Sequence, residues 1–322
     1  MKALIVNNFE KLPEFEATRM PKQSANELLV RITACGLNFA DLLLLKGNYQ
    51  DTPALPFVPG LEIAGVVSAI GADVQGFEVG ERVALFGGQG GLAEYGAFPA
   101  DRAVKIPTSM SDETAAGFQI AYGTSHLALS HRAQLQAGET LVVLGAAGGV
   151  GLTAVEIGKL MGARVIACAR GEAKLTAAKA AGADHLLDTE TTDLRQAIKD
   201  LGGADVVFDP VGGDAFTEVF RACNPDARIL AIGFASGDVP QVKLNHMLVK
   251  NISVIGFYWG GYLKFNPQSL THSMDQLMHW YTEGKLTPAI HHVYPFDQTM
   301  DALELLSARK STGKVVVKVS DS

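Results

Sequence analysis

The sequence predicts an α/β chain of two domains, one built on a doubly wound parallel sheet of six strands and one rich in β-structure. Three observations predict it. An apolar run, Leu141-Val142-Val143-Leu144, passes straight into glycines spaced three apart, Gly145-Ala146-Ala147-Gly148-Gly149-Val150-Gly151, and then into an amphipathic segment. Five further short runs rich in Val, Ile or Leu follow at 164–169, 183–187, 204–209, 228–234 and 252–257, with helical stretches such as 172–181 and 192–201 between them. More than a hundred residues precede the glycine turn and must fold as something else.

Met1 to Val6 opens the chain on a strand-like run, and 27–33, 63–70, 82–85 and 92–99 read as strands punctuated by glycines such as Gly71, Gly76, Gly80 and Gly87. Residues 112–129 read as a helix leading to the first parallel strand. Helices near 269–283 and 298–309 precede a last strand at 314–319, which lies so far from the parallel sheet's natural order that it is expected to return to the N-terminal domain. The domains therefore read as 1–117 with 262–322, discontinuous and β-rich, and 118–261, with a ligand cleft expected between them.

A strand, a tight turn and a helix N-terminus together receive a dinucleotide pyrophosphate. Gly145 permits the turn, Gly148 and Gly149 let backbone approach phosphate, and Gly151 lets helix pack on strand, which makes the six-stranded domain a Rossmann fold. An acid that bonds a free ribose 2′-hydroxyl is expected at the end of the second strand, but the chain has Cys168-Ala169-Arg170-Gly171 there. Arg170, with Lys174 one helical turn on, offers a cationic clamp for a 2′-phosphate and points to NADPH.

Composition narrows the function classes. A net charge of -7 and a pI near 5.6, with no Lys/Arg block, argue against a nucleic-acid partner. Every long apolar stretch is broken by Gly or charge well before the roughly 18 residues of a membrane helix, and the start has no signal-peptide architecture, so a cytoplasmic protein without membrane association is expected. Cys35, Cys168 and Cys223 are odd in number and far apart, which disfavours a disulfide framework.

Several motifs recur in order along nearly the whole chain: Ala34-Cys35-Gly36-Leu37-Asn38-Phe39-Ala40-Asp41, Pro59-Gly60-Leu61-Glu62-Ile63-Ala64-Gly65-Val66-Val67, Gly80-Glu81-Arg82-Val83, the glycine turn, Asp209-Pro210-Val211-Gly212-Gly213, Ile232-Gly233-Phe234-Ala235-Ser236-Gly237 and Thr312-Gly313-Lys314-Val315-Val316. Together they resemble the zinc-independent medium-chain dehydrogenase/reductases, in the NADPH:quinone oxidoreductase (zeta-crystallin-like) branch. The resemblance implies a GroES-like N-terminal domain and a homodimer formed by pairing edge strands, here the strand from Asn251 to Phe257. It also carries cofactor contacts onto Asn38, Ala147, Gly148, Gly149, Val150, Arg170, Lys174, Phe234 and Lys314. One departure is Asp188-Thr189, where relatives often have Asn-Tyr. The change removes an aromatic contact and adds negative charge near the expected 2′-phosphate, leaving room for NADH beside NADPH.

Zinc-dependent relatives place Cys-His-Ser/Thr-Asp where this chain has Asn38-Phe39-Ala40-Asp41, and Gly-His-Glu where it has Gly60-Leu61-Glu62. Neither Asn38 nor Leu61 replaces a zinc ligand, Ala40 lacks the proton-relay hydroxyl, and the glycines at 87–91 stand where a structural zinc would need cysteines. His126, His131, His291 and His292 lack metal-site spacing, so no metal is expected. The resemblance then implies a metal-free reductase that passes hydride to a quinone, an acceptor that delocalises the incoming charge. Hydrogen-bond donors to its carbonyl are sought at Asn38 and Tyr49, with Tyr122, Tyr258 and Trp259 as further candidates and Asp41 orienting the Asn38 loop. The rival readings are a reductase of α,β-unsaturated carbonyls or enoyl thioesters, and a non-catalytic NADPH-binding protein.

Overall fold

The computed structural model describes residues 1–321. It divides into two compact units, one formed by Met1–Ile120 with the chain from Ile290 onward, the other by Ala121–Ala289.

The first unit begins with an antiparallel pair, β1 (Lys2–Ile5) and β2 (Glu14–Ala17). Next come β3 (Glu27–Leu37), helix α1 (Phe39–Leu44), β4 (Glu62–Ile70), β5 (Arg82–Phe86), β6 (Tyr95–Pro99), β7 (Ala103–Lys105) and helix α2 (Asp112–Ala116). Strand β3 changes character along its length. Leu28, Val30 and Ile32 are buried in alternation with half-buried neighbours, whereas every residue from Ile32 to Leu37 is buried because the strand there lies inside the sheet. The expected helix at 112–129 is two: α2 ends on Gly117, and α3 (Gln119–Leu127) follows, carrying the chain into the second unit. Glycine is a poor helix former, and a Cβ at Gly117 would crowd Ile290 Cδ1 at 3.0 Å.

The second unit holds β8 (Thr140–Leu144), α4 (Gly149–Leu160), β9 (Arg164–Ala169), α5 (Glu172–Ala180), β10 (His185–Asp188), α6 (Leu194–Asp200), β11 (Ala204–Asp209), α7 (Gly213–Ala222), β12 (Cys223–Ala231), α8 (Leu244–Leu248) and β13 (Ser253–Gly256). The sheet runs β10-β9-β8-β11-β12-β13 and is parallel throughout, the doubly wound Rossmann order. Its inner strands are covered on both faces, so Val142, Leu144, Ile166, Val207 and Ile229 are fully buried. Helix α7 buries Phe216, Val219 and Phe220, one apolar stripe at helical spacing.

Two helices follow, α9 (Tyr262–Phe265) and α10 (Pro267–Thr282), and both lie in the second unit. The sequence boundary at 261/262 assigned them to the first; the unit boundary falls at 289/290. Side-chain chemistry explains the difference. Helix α10 buries Leu270, Met274 and Leu277, its Ser273 hydroxyl bonds His126 Nδ1 of α3 at 2.8 Å, and its Trp280 meets the His126 ring edge-on. The chain then adds β14 (Ile290–Pro295), helix α11 (Thr299–Ser307) and β15 (Lys314–Lys318) to the first unit. Strand β15 pairs antiparallel with β3 and parallel with β14, so the last strand does return to the N-terminal sheet, whose order is β14-β15-β3-β4-β5-β7 with β6 also on β3.

Phe208, in β11 at the middle of the parallel sheet, is among the largest fully buried side chains. Phe208→Ala should cost about 3–5 kcal/mol of stability in urea unfolding; a loss below about 1 kcal/mol would contradict the packing described here.

Candidate cofactor and active site

At the C-terminal end of β8 the chain turns through Gly145, whose φ of 59° lies in the left-handed region. Gly148 N–H closes the turn by donating to Gly145 O at 3.0 Å, and α4 begins at Gly149 with Gly148 as N-cap. Gly151 sits inside the first turn of the helix, where a Cβ would lie 2.1 Å from Gly145 O. That approach is between backbones, so no rotamer change relieves it. A Cβ at Gly148 would meet only Gly145 O, at 3.4 Å, so side chains do not cover this face of the turn. The unpaired N–H groups at the start of α4, including the segment of Ala147, Gly149 and Val150, give a pyrophosphate both donors and a favourable dipole.

The neighbouring strand completes the crevice, because the sheet reverses its winding between β8 and β11. Asp209, at the end of β11, accepts Val211 N–H at 2.7 Å and Gly212 N–H at 2.9 Å. The following loop is stitched to it: Ala235 N–H donates to Pro210 O and Ser236 N–H to Val211 O. Phe234 stands on that loop, 40% exposed.

Arg170 follows β9 and is exposed, and Lys174 is half-buried on α5. Burial and the Arg170 guanidinium lower the Lys174 ammonium from its usual value, and Glu190 opposes that shift. Two cations therefore share one small region, as an anion site requires. Asp188 is occupied locally: its carboxylate accepts Glu190 N–H at 3.0 Å and its carbonyl accepts Thr192 N–H.

The first unit holds a second cluster, at the end of β3. Lys314 is only 6% exposed, and its ammonium donates to Leu37 O at 3.0 Å, Asn38 Oδ1 at 2.8 Å and Glu62 Oε1 at 2.6 Å. Asn38 Nδ2 donates to the same Glu62 oxygen at 3.0 Å and to Gly36 O at 3.3 Å, and Glu62 Oε2 accepts Ile120 N–H at 2.9 Å. Asp41 lies in the first turn of α1, where it accepts Asn38 N–H at 2.8 Å and Leu61 N–H at 3.1 Å. Full burial pushes its carboxyl up to about 7, against the pull of the Asn38 N–H and Lys314.

Asn38 and Asp41, three residues apart, are thus brought together with Lys314, 276 residues from Asn38. Lys314, onto which the resemblance carries a cofactor contact, has its ammonium on three protein oxygens. Glu62, which links Lys314 to Asn38, was not among the residues expected to act. Tyr49 lies in a turn of the same unit, where Thr52 Oγ1 accepts its N–H at 3.1 Å and donates to its carbonyl at 2.6 Å. Tyr122, a further donor candidate, belongs to the second unit and gives its hydroxyl proton to Glu156 Oε2 at 2.6 Å. Cys35 is a buried thiol pushed well up by burial and by Asp41 and Glu62. Among the described residues no three His, Cys, Asp or Glu side chains converge as a metal site.

Asp41 generates a pH prediction. Its carboxyl titrates near 7 in the folded chain and near 3.8 when unfolded, so between those values the folded state holds the extra proton and stability falls as pH rises. Asp41→Asn cannot ionise and places an amide nitrogen against a backbone donor. It should be less stable than the parent at pH 5, with the gap narrowing towards pH 8 in urea unfolding. A gap that widens with pH would contradict the assignment.

The comparisons with known proteins agree with this architecture. A family model described as alcohol dehydrogenase GroES-like domain matches residues 24–108, and one described as zinc-binding dehydrogenase matches 149–282. The quinone oxidoreductase-like protein 2 homolog of Nematostella vectensis is 40% identical over 91% of this chain and 81% of its own length. The synaptic vesicle membrane protein VAT-1 homolog of Homo sapiens is 31% identical over 92% and 80%. The quinone oxidoreductase of Thermus thermophilus, whose structure was solved alone and with NADPH, superposes with a TM-score of 0.88 at 32% identity, covering 99% of this chain and all of that one. With a Rossmann unit, a GroES-like unit and these relatives, the chain belongs to the quinone oxidoreductase-like branch of the medium-chain dehydrogenase/reductase family, a family of oxidoreductases.

Proposed function

We propose that the protein is a metal-free, NADPH-dependent reductase of quinones. The observation that carries the reading is the turn from Gly145 to Gly151, an uncovered backbone cradle at the switch point of a Rossmann sheet with Arg170 and Lys174 after the next strand. NADPH, when bound, supplies a hydride. Gly145, Ala147, Gly148, Gly149, Val150 and Gly151 hold its pyrophosphate, Arg170 and Lys174 its 2′-phosphate, and Phe234 flanks it from the neighbouring loop. NADH lacks the 2′-phosphate and is the weaker cofactor.

In the first unit, Asn38 and Tyr49 are the donors to the acceptor's carbonyl oxygen. The Asn38 Nδ2 bond to Gly36 O is the longer of its two, so it is the one a substrate oxygen displaces. One such donor contributes roughly 3 kcal/mol to the transition state. Asp41 holds Asn38 and Leu61 in place through their N–H groups. The positions that carry two zinc ligands in metal-dependent relatives hold Asn38 and Leu61, which supports hydride transfer without a Lewis acid.

The assembly we propose is a homodimer. Among the described residues, strand β13, within the stretch from Asn251 to Phe257, is paired on one side only, and the preceding α8 segment leaves Leu244, Leu248 and Val249 more than 70% exposed. Three buried free thiols fit a cytoplasmic location. Among the described residues, no helix is long and apolar enough to cross a membrane.

Chelator-treated protein should oxidise NADPH with ortho- or para-quinones. Activity confined to enones or to an enoyl thioester would move it to that branch, and NADPH binding without turnover on any acceptor would make it a non-catalytic binder. Arg170→Ser should weaken NADPH about 10- to 100-fold, the worth of one charge-assisted hydrogen bond, and leave NADH unchanged. Equal losses for both cofactors would contradict the 2′-phosphate assignment.

A further inference from the structure

We infer that Glu62 and Lys314 are positioning residues for the reaction, acting through Asn38. The inference rests on the proposed reading, in which the Asn38 amide donates to the acceptor.

An ammonium group can only donate and a carboxylate can only accept. Lys314 faces Asn38 Oδ1 at 2.8 Å and Glu62 Oε1 faces Asn38 Nδ2 at 3.0 Å, so the carboxamide has one allowed orientation. Turned over, it would set its NH2 against the ammonium and its oxygen against the carboxylate. The pair also changes the amide chemically. A cation on Oδ1 draws electron density from the nitrogen and makes Nδ2–H a stronger donor. Glu62 holds one of the two Nδ2 hydrogens and leaves the other on its 3.3 Å bond to Gly36 O.

Both partners are themselves fixed. The Glu62 side chain is 1% exposed and that of Lys314 is 7% exposed. Lys314 is held further by Leu37 O, and Glu62 by Ile120 N–H. Gln at position 62 keeps the shape but would set an NH2 against either the Ile120 N–H or the Asn38 NH2. Met at position 314 keeps the length but removes the cation. A buried pair can often be replaced by neutral residues of similar volume with little loss of stability, whereas removing one partner strands a charge. Stability and positioning are therefore separable.

The test compares Lys314→Met, Glu62→Gln and the double variant with the parent, by thermal unfolding and by NADPH turnover on 9,10-phenanthrenequinone. Each single variant should lower Tm. The double variant should recover most of that loss, yet its kcat should stay at least tenfold below the parent, with NADPH affinity within about twofold. In an Asn38→Ala background, removing the pair should cost no further kcat. Parental kcat in the double variant would overturn the inference, as would an equal fold-loss with and without Asn38. The Asn38→Ala comparison decides if the double variant stays unstable.

Should the parent fail to turn over, the functional reading falls, and the positioning claim is then decided by NMR. The Asn38 carboxamide NH2 signals, assigned by their loss in Asn38→Ala, should be resolved and slow to exchange in the parent and fast in the double variant. Unchanged exchange would overturn the claim.

Discussion

The approach of Gly151 to the carbonyl of Gly145 is the constraint on which the second unit's chemistry depends. Helix α4 can aim its N-terminus at the crevice only if it leaves the turn directly, and a Cβ at position 151 would lie 2.1 Å from the Gly145 oxygen, far inside van der Waals contact distance. The sheet order then does the rest. Because the chain winds outward from β8 to β10 and resumes at β11, the ends of β8 and β11 lie side by side with no crossover connection between them. Asp209, whose carboxylate accepts two backbone N–H groups, and the loop bearing Phe234, through backbone hydrogen bonds, close the far side.

The first unit solves a different problem, the burial of charge. Lys314, Glu62 and Asp41 are all withdrawn from water, which is unfavourable unless each polar atom finds a partner. They find partners in one another, in Asn38 and in backbone groups of three separate segments. Asp41 is the least compensated, accepting two N–H groups with no direct cation, and its carboxyl rises towards neutrality for that reason.

The parallel strands were legible in sequence because burial on both faces leaves continuous Val, Ile and Leu. The runs at 164–169 and 204–209 coincide with β9 and β11. Strand β14 was not: its residues Ile290-His291-His292-Val293-Tyr294-Pro295 alternate half-buried with exposed and carry no apolar signature. The 112–129 helix was legible as helix but not as two, since a lone glycine only weakens a helix and Gly117 alone does not announce a helix end. Of the sites, the glycine turn could be read because its residues are contiguous. The role of Glu62 could not, since it depends on Lys314, 252 residues away, and the resemblance that carries a cofactor contact onto Lys314 says nothing of the three oxygens around its ammonium.

The most direct test of the account is NADPH titration by fluorescence for the parent and Gly151→Ala, with circular dichroism to confirm that both are folded. The account predicts saturable binding by the parent, one NADPH per chain, and loss of at least tenfold in affinity for Gly151→Ala as α4 is pushed off the turn. Parental affinity in a folded Gly151→Ala protein would contradict it.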